Sequence, residues 1–194
     1  MEIDSKSDGH GAWIILAGIS PLFVFSNQVS LGLVFGGTFL LVHSASATLA
    51  LLLPARLGKH KILFLAVMGG TLVASFAASF IRAIDPFLFE TTSRQIFLVP
   101  FTLPVLRVSM LPVSMADRER TLENLVRGAV YAGVIVMVGA IREFLASGAV
   151  SLGNLETFST LLPIASQPAG ALLILGLVAA ALKALLEKMK GSQS

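Results

Sequence analysis

Apolar runs alternating with short polar stretches divide the chain into six segments. Leu31–Leu53, ended by Pro54, Ile62–Ile81 and Leu125–Ala146 are continuous apolar runs. Each has about the 20 residues that a helix needs to cross a bilayer core. Three other runs carry prolines. Trp13–Asn27 falls short of a full crossing, and its Pro21 removes an amide donor and disfavours helical geometry at Ser20. Ile96–Val113 contains Pro100, Pro104 and Pro112, and Phe158–Leu186 has Pro163 and Pro168 bending its start. Between them lie a polar turn at Ser26-Asn27-Gln28 and a basic loop with Arg56, Lys59, His60 and Lys61. Arg82–Gln95 reads as a mixed-charge loop turning at Asp85-Pro86, Asp117–Arg120 as a solvated loop, and Gly148–Leu155 as a Gly- and Ser-containing loop.

This pattern predicts an all-α membrane protein. Residues 1–11 form a polar tail and 12–190 one transmembrane domain. Six transmembrane helices fall into two three-helix repeats, about 12–82 and 96–186, with the first helix of each broken. An odd number of crossings per half makes the second repeat enter from the opposite side, so the repeats are inverted. Interrupted segments at matching places point to a buried site near the midplane, where the two breaks meet.

Composition narrows the class. The chain is 55% hydrophobic and 13% charged, against about 25% charge in a soluble domain. Its mean hydropathy is +0.86. Zero cysteines exclude disulfides, thiolate metal sites and thiol catalysis. The basic residues lie in loops and tails without interleaved aromatics, which argues against nucleic acid as a partner. The start, with Glu2, Asp4, Lys6 and Asp8, lacks the basic region of a signal peptide. Lys6, Arg56, Lys59, Lys61, Arg118, Arg120, Lys183, Lys188 and Lys190 fall on one side of the predicted topology. Arg82 and Arg94, offset by Asp85, Glu90 and Glu156, fall on the other, so both termini are expected in the cytoplasm.

Small residues mark close helix contacts: Gly32 with Gly36, Gly70 with Ala74 and Ala78, and Gly128, Gly133 and Gly139. Few polar residues lie at membrane depth. His43 is either a hydrogen-bonded structural residue, the commoner case, or a haem ligand or proton relay. His10 and His60 fall in polar segments, so neither completes a bis-histidine site. Arg107 either meets a buried partner or snorkels to the cytoplasmic surface. Arg142 and Glu143 are adjacent and so point to different neighbours, each pairing with another element or facing the interface. Asn27 is placed to satisfy backbone groups freed at the first break. No phosphate loop, dinucleotide fingerprint, HExxH or Ser-His-Asp set is present.

The run Gly18-Ile19-Ser20-Pro21-Leu22, Ser26-Asn27 and Leu31-Gly32-Leu33 resembles the G-L-C-P-L, T-N and L-G-L run of a known membrane family. Gly139-Ala140-Ile141-Arg142-Glu143-Phe144 is similar to its G-S-L-R-E-I. The family comprises the six-helix membrane subunits of Rnf (ferredoxin:NAD oxidoreductase) and Nqr (sodium-translocating NADH:quinone reductase). The likeness covers residues 12–190, and the orientation matches the D-type (Nqr) and E-type (Rnf) subunits. It implies other integral membrane subunits as partners, an oppositely inserted paralogue among them, in a bacterial-type inner (plasma) membrane.

The family pattern also implies a [2Fe–2S] cluster held by two cysteines from each of two paralogues. Here the first ligand position is Ser20. The second falls within Phe101–Leu106, at Thr102 or at Leu106 depending on the alignment. Four cysteines are the ordinary requirement, so no cluster or other cofactor is expected on this chain. The expected function is a structural or partner-docking subunit of an Rnf/Nqr-like or another redox or photosynthetic-type complex. The alternative is a small transporter or ion-conducting module lined by Asn27, His43, Thr102 and Arg107.

Overall fold

A computed structural model describes residues 18, 20, 22–54, 57–110, 117–148 and 162–191. The side chains of 59, 107–123, 163, 166, 178–179, 181–183 and 185–191 lie outside that description. Residues 18, 20 and 22–25 are helical, and the chain then runs through α1 (Val29–Leu52), α2 (Lys59–Ile84) and α3 (Pro86–Ile96). A 3-10 turn (Val99–Phe101), α4 (Leu103–Met110), α5 (Asp117–Ser147), the single helical turn α6 (Pro163–Ser166) and α7 (Pro168–Gly191) follow. No strand occurs among the described residues. Among the described residues, three stretches are long and apolar enough to cross a membrane: Val29–Leu52, His60–Ile84 and Asn124–Ser147. Trp13, Pro21, Pro112 and the polar tail fall outside the described residues.

The middle of the fold is an antiparallel pair, α1 and α5, brought together by absent side chains. A Cβ on Gly36 would stand 3.0 Å from the Ala132 carbonyl oxygen, and one on Gly32 would stand 3.2 Å from the Val136 Cα. One on Gly139 would stand 2.9 Å from the Gln28 carbonyl oxygen. Lipid gives apolar helices no hydrophobic reason to associate, so close backbone approach supplies the attraction. α2 packs antiparallel on the other flank of α1, with Gly70 against Val42 and Ser46. Ser46 Oγ donates to the Ala66 carbonyl at 3.2 Å.

α3, the 3-10 turn and α4 return alongside α2 as one interrupted element. The Arg82 guanidinium lies 5.6 Å from the Phe89 ring centroid near one end. Pro100 sits beside Gly70, close to the midpoint of α2. The interruption at 97–102 therefore lies near mid-height. Gly18, from the first segment, lies directly against Leu103 where helix resumes. The buried core joins these elements through Leu22, Phe23, Phe35, Phe39, Ala74, Ile96, Val99, Val105 and Ile135.

The outer face of α2 is an exposed ridge of Phe64, Met68, Leu72, Phe76, Phe80 and Ile84. Its hydroxyls bond to their own helix: Thr71 to Val67 O at 2.8 Å, Ser75 to Thr71 O at 2.9 Å, and Ser79 to Ser75 O at 2.9 Å. Such back-bonding satisfies a polar group where no water is available. These are the features of a membrane-embedded helical protein.

Two expectations are corrected. Arg82–Gln95 is helical apart from Asp85. Asp85 Oδ1 accepts from the Phe87 and Leu88 amides, both at 3.0 Å, and Pro86 occupies the first helical position. An aspartate cap followed by proline starts a helix, and that signal outweighs the charges of the segment. Asp117–Arg120, expected as a loop, is the first turn of α5. Charge there marks where the helix leaves the apolar window, not where its backbone hydrogen bonding stops.

Candidate functional site

The most concentrated polar arrangement lies at the end of α5, where two interruptions of the backbone converge. The first segment stops at Phe25, and Ser26–Gln28 turns the chain into α1. Across from it the chain bends at Gln167 between α6 and α7. There Gly170 lies so close to the backbone of Ile164 and Ala165 that no side chain would fit. Both bends leave carbonyl oxygens without intrahelical partners, as every helix terminus does.

Arg142 supplies the missing donors. It is fully buried. Its Nη1 donates to the carbonyl oxygens of Phe23 at 2.6 Å, Val24 at 3.0 Å and Ser26 at 3.1 Å. Its Nε donates to Ala165 O at 2.9 Å and its Nη2 to Gln167 O at 3.2 Å. A planar fork of N–H donors can serve two separate backbone bends at once, which a lysine ammonium cannot. The positive charge also sits at a helix C-terminus, the negative end of the helix dipole.

Glu143 acts on the opposite pole of the same turn. Its Oε2 accepts the Val29 amide at 2.7 Å. Gln28, the residue before α1, makes no side-chain cap, so a carboxylate from another helix provides it. The acid therefore lies at the positive end of α1 and the base at the negative end of the preceding helix. Glu143→Leu is expected to lower stability by about 1–3 kcal/mol, and Glu143→Gln, which keeps an acceptor, by less. Thermal unfolding in detergent checks this; a Leu variant as stable as the parent would remove the cap.

The other expected site residues are more dispersed. Thr102 is buried at the interruption, and its Oγ1 donates to Val99 O at 2.8 Å. Ser20 and Leu106 are half-buried. Arg107 belongs to α4, with its side chain outside the described set. His43 is 1% exposed and stacks on Phe39 with ring centroids 5.5 Å apart. It presses against Gly128, where a Cβ would come within 2.7 Å of its ring. Neither of its ring nitrogens meets strict hydrogen-bond geometry among the described residues, the Asn124 backbone being the polar group beside the ring. Asn27 Oδ1, at the turn, is shielded from solvent and has no partner among the described residues. No group of three or more metal-ligating side chains occurs among them.

Sequence reasoning found Arg142 and Glu143 but not what they hold. Their acceptors and donor are main-chain atoms of Phe23, Val24, Ser26, Val29, Ala165 and Gln167. Backbone atoms leave no residue-type signature. The usable signal was a charged pair in an apolar run beside proline-interrupted segments.

No protein-family model matches the chain, and no curated protein matches it.

Proposed function

We propose that this chain is an integral membrane subunit of an Rnf/Nqr-like or another redox or photosynthetic-type complex, serving as scaffold and docking surface. One observation carries the reading. The two stretches that bear the family resemblance are far apart in sequence but form one structural unit. Arg142 and Glu143 of the Gly139–Phe144 stretch hold the backbone of 23–29, within the Gly18–Leu33 run. Gly139 itself lies against Gln28 and Gly32. The antiparallel α1–α5 pair and the meeting of Gly18 with Leu103 support two inverted three-helix halves with six crossings.

On this reading the cluster positions are Ser20 and either Thr102 or Leu106. A half-buried serine, a threonine whose hydroxyl is bonded to Val99 O, and a leucine offer no thiolate. Electron transfer then belongs to partner subunits. Purification from native membranes with a tag on this chain is expected to bring down other integral membrane subunits. Iron and acid-labile sulfide ligated by this chain are expected to be absent. A native purification that brings down no other integral membrane subunit, or a stoichiometric cluster on this chain, overturns the proposal.

A transporter reading draws on the interruption at 97–102, which opens main-chain groups near mid-height. Solute uptake by liposomes containing this chain alone would select it.

A further inference from the structure

At the end of the fold opposite Arg142, an open cleft of about 380 Å³ lies between the loop before α2 and the first two turns of that helix. Leu57, His60, Lys61, Phe64 and Leu65 line it. Gly58, at φ 76°, turns the chain from Leu57 into α2 in a backbone region that side chains disfavour. The apolar crossing begins at His60, so the cleft lies at the depth of lipid headgroups.

Its floor and its mouth differ in character. Phe64 and Leu65 form an apolar floor, and the exposed ridge of α2 continues from Phe64 through Met68 and Leu72. From His60 to Leu72 is about 18 Å at 1.5 Å per residue, slightly more than one leaflet of a ~30 Å hydrocarbon core. The mouth is cationic. His60 and Lys61 are exposed, and no Asp or Glu lines the cleft among the described residues. In the sequence Arg56 and Lys59 stand close by, and no acidic residue occurs between Asp8 and Asp85. The starts of α1 and α3 are each capped by a carboxylate, Glu143 and Asp85, whereas α2 has neither a side-chain cap nor an acid in its first turn. Its first amides therefore add donors to the two side chains.

We infer that this cleft binds a phospholipid with an anionic headgroup, its phosphate at Lys61 and His60 and one acyl chain along Phe64, Met68 and Leu72. Charge complementarity selects this occupant among those that fit an apolar groove. A zwitterionic lipid brings its own ammonium towards Lys61, and an apolar helix from a partner would leave that cation without a counter-charge. Lys61 offers three donors, and the His60 ring keeps an N–H even when neutral. The inference needs membrane embedding but not the redox-subunit reading.

The test uses the full chain in mild detergent and native mass spectrometry with phosphatidylglycerol, phosphatidylcholine and phosphatidylethanolamine at equal concentration. One phosphatidylglycerol is expected to be retained about fivefold over either competitor, the worth of one basic residue beside an anionic head. Lys61→Gln is expected to lose most of that preference and Lys61→Arg to keep it. Arg82→Gln removes the same charge from the other end of α2 and should leave the preference unchanged. Phe64→Ser, at an exposed position, should lower retention of all three lipids. Inorganic phosphate should compete far less well than a short-chain phosphatidylglycerol. Equal retention of the three lipids overturns the assignment, as does an unchanged preference in a folded Lys61→Gln. An equal loss in Arg82→Gln would assign the preference to net charge and overturn the site, and undiminished retention by Phe64→Ser would overturn the path of the acyl chain. Phosphate competing as strongly as the lipid would transfer the site to a soluble anion and overturn the lipid occupant.

Discussion

Arg142→Met is expected to destabilise the protein by about 4 kcal/mol or more, the upper range for a single substitution. Methionine keeps the aliphatic stem of arginine but stops short of the guanidinium, so the loss combines the missing hydrogen bonds with the space left behind. Bonds from a charged donor contribute about 1.5–3 kcal/mol each. Those to Phe23, Val24, Ser26, Ala165 and Gln167 O share one guanidinium and do not add. What decides the magnitude is the stranded acceptors: in lipid each unsatisfied backbone group costs several kcal/mol. Arg142→Lys is expected to fall between, because an ammonium can reach one bend but not both. Thermal unfolding of detergent-purified variants, followed by size-exclusion fluorescence, measures this. A methionine variant within about 1 kcal/mol of the parent would show that water or lipid replaces the guanidinium, and the site would lose its structural rationale.

The second large effect separates two neighbouring glycines. Gly36→Leu is expected to cost about 3 kcal/mol, typical of forced overpacking, because the Ala132 carbonyl and Val136 already occupy the space a Cβ would need. The Ala132 carbonyl belongs to the α5 backbone and cannot rotate away, and the Val136 methyl sits on a β-branched side chain with little rotamer freedom in a helix. Gly37→Leu adds the same side chain one residue on, where nothing lies within 4 Å. It should cost nothing and gain about 0.5–1 kcal/mol from replacing a helical glycine. Equal destabilisation by the two would mean that α1 is rotated relative to α5 from the arrangement described.

Much of the fold was readable in the chain. Apolar runs located α1, α2 and α5, because helices facing lipid must be continuously apolar and Pro54 bounds the first of them. Ser26-Asn27-Gln28 was readable as a turn from its polarity. What was missed followed from charge. Glu90 and Arg94 made α3 look like loop, yet an aspartate cap and a proline start that helix despite them. At the site, Arg142 and Glu143 stood out as charges in an apolar run, and their adjacency already implied separate partners. Those partners were hidden because they are main-chain atoms.

The bond from Arg142 to Phe23 O spans 119 residues. At ribosomal speeds of about 5–20 residues per second, the opening helix waits roughly 6–24 s for the guanidinium that finishes it. Throughout that interval its carbonyl end must stay near water or borrow a donor from the insertion machinery, since acyl chains offer none. The turn at 23–26 thus waits for its donors until residue 142 has been made, and the bend at Ala165–Gln167 joins the same guanidinium later still, so this knot is among the late parts of the fold to close.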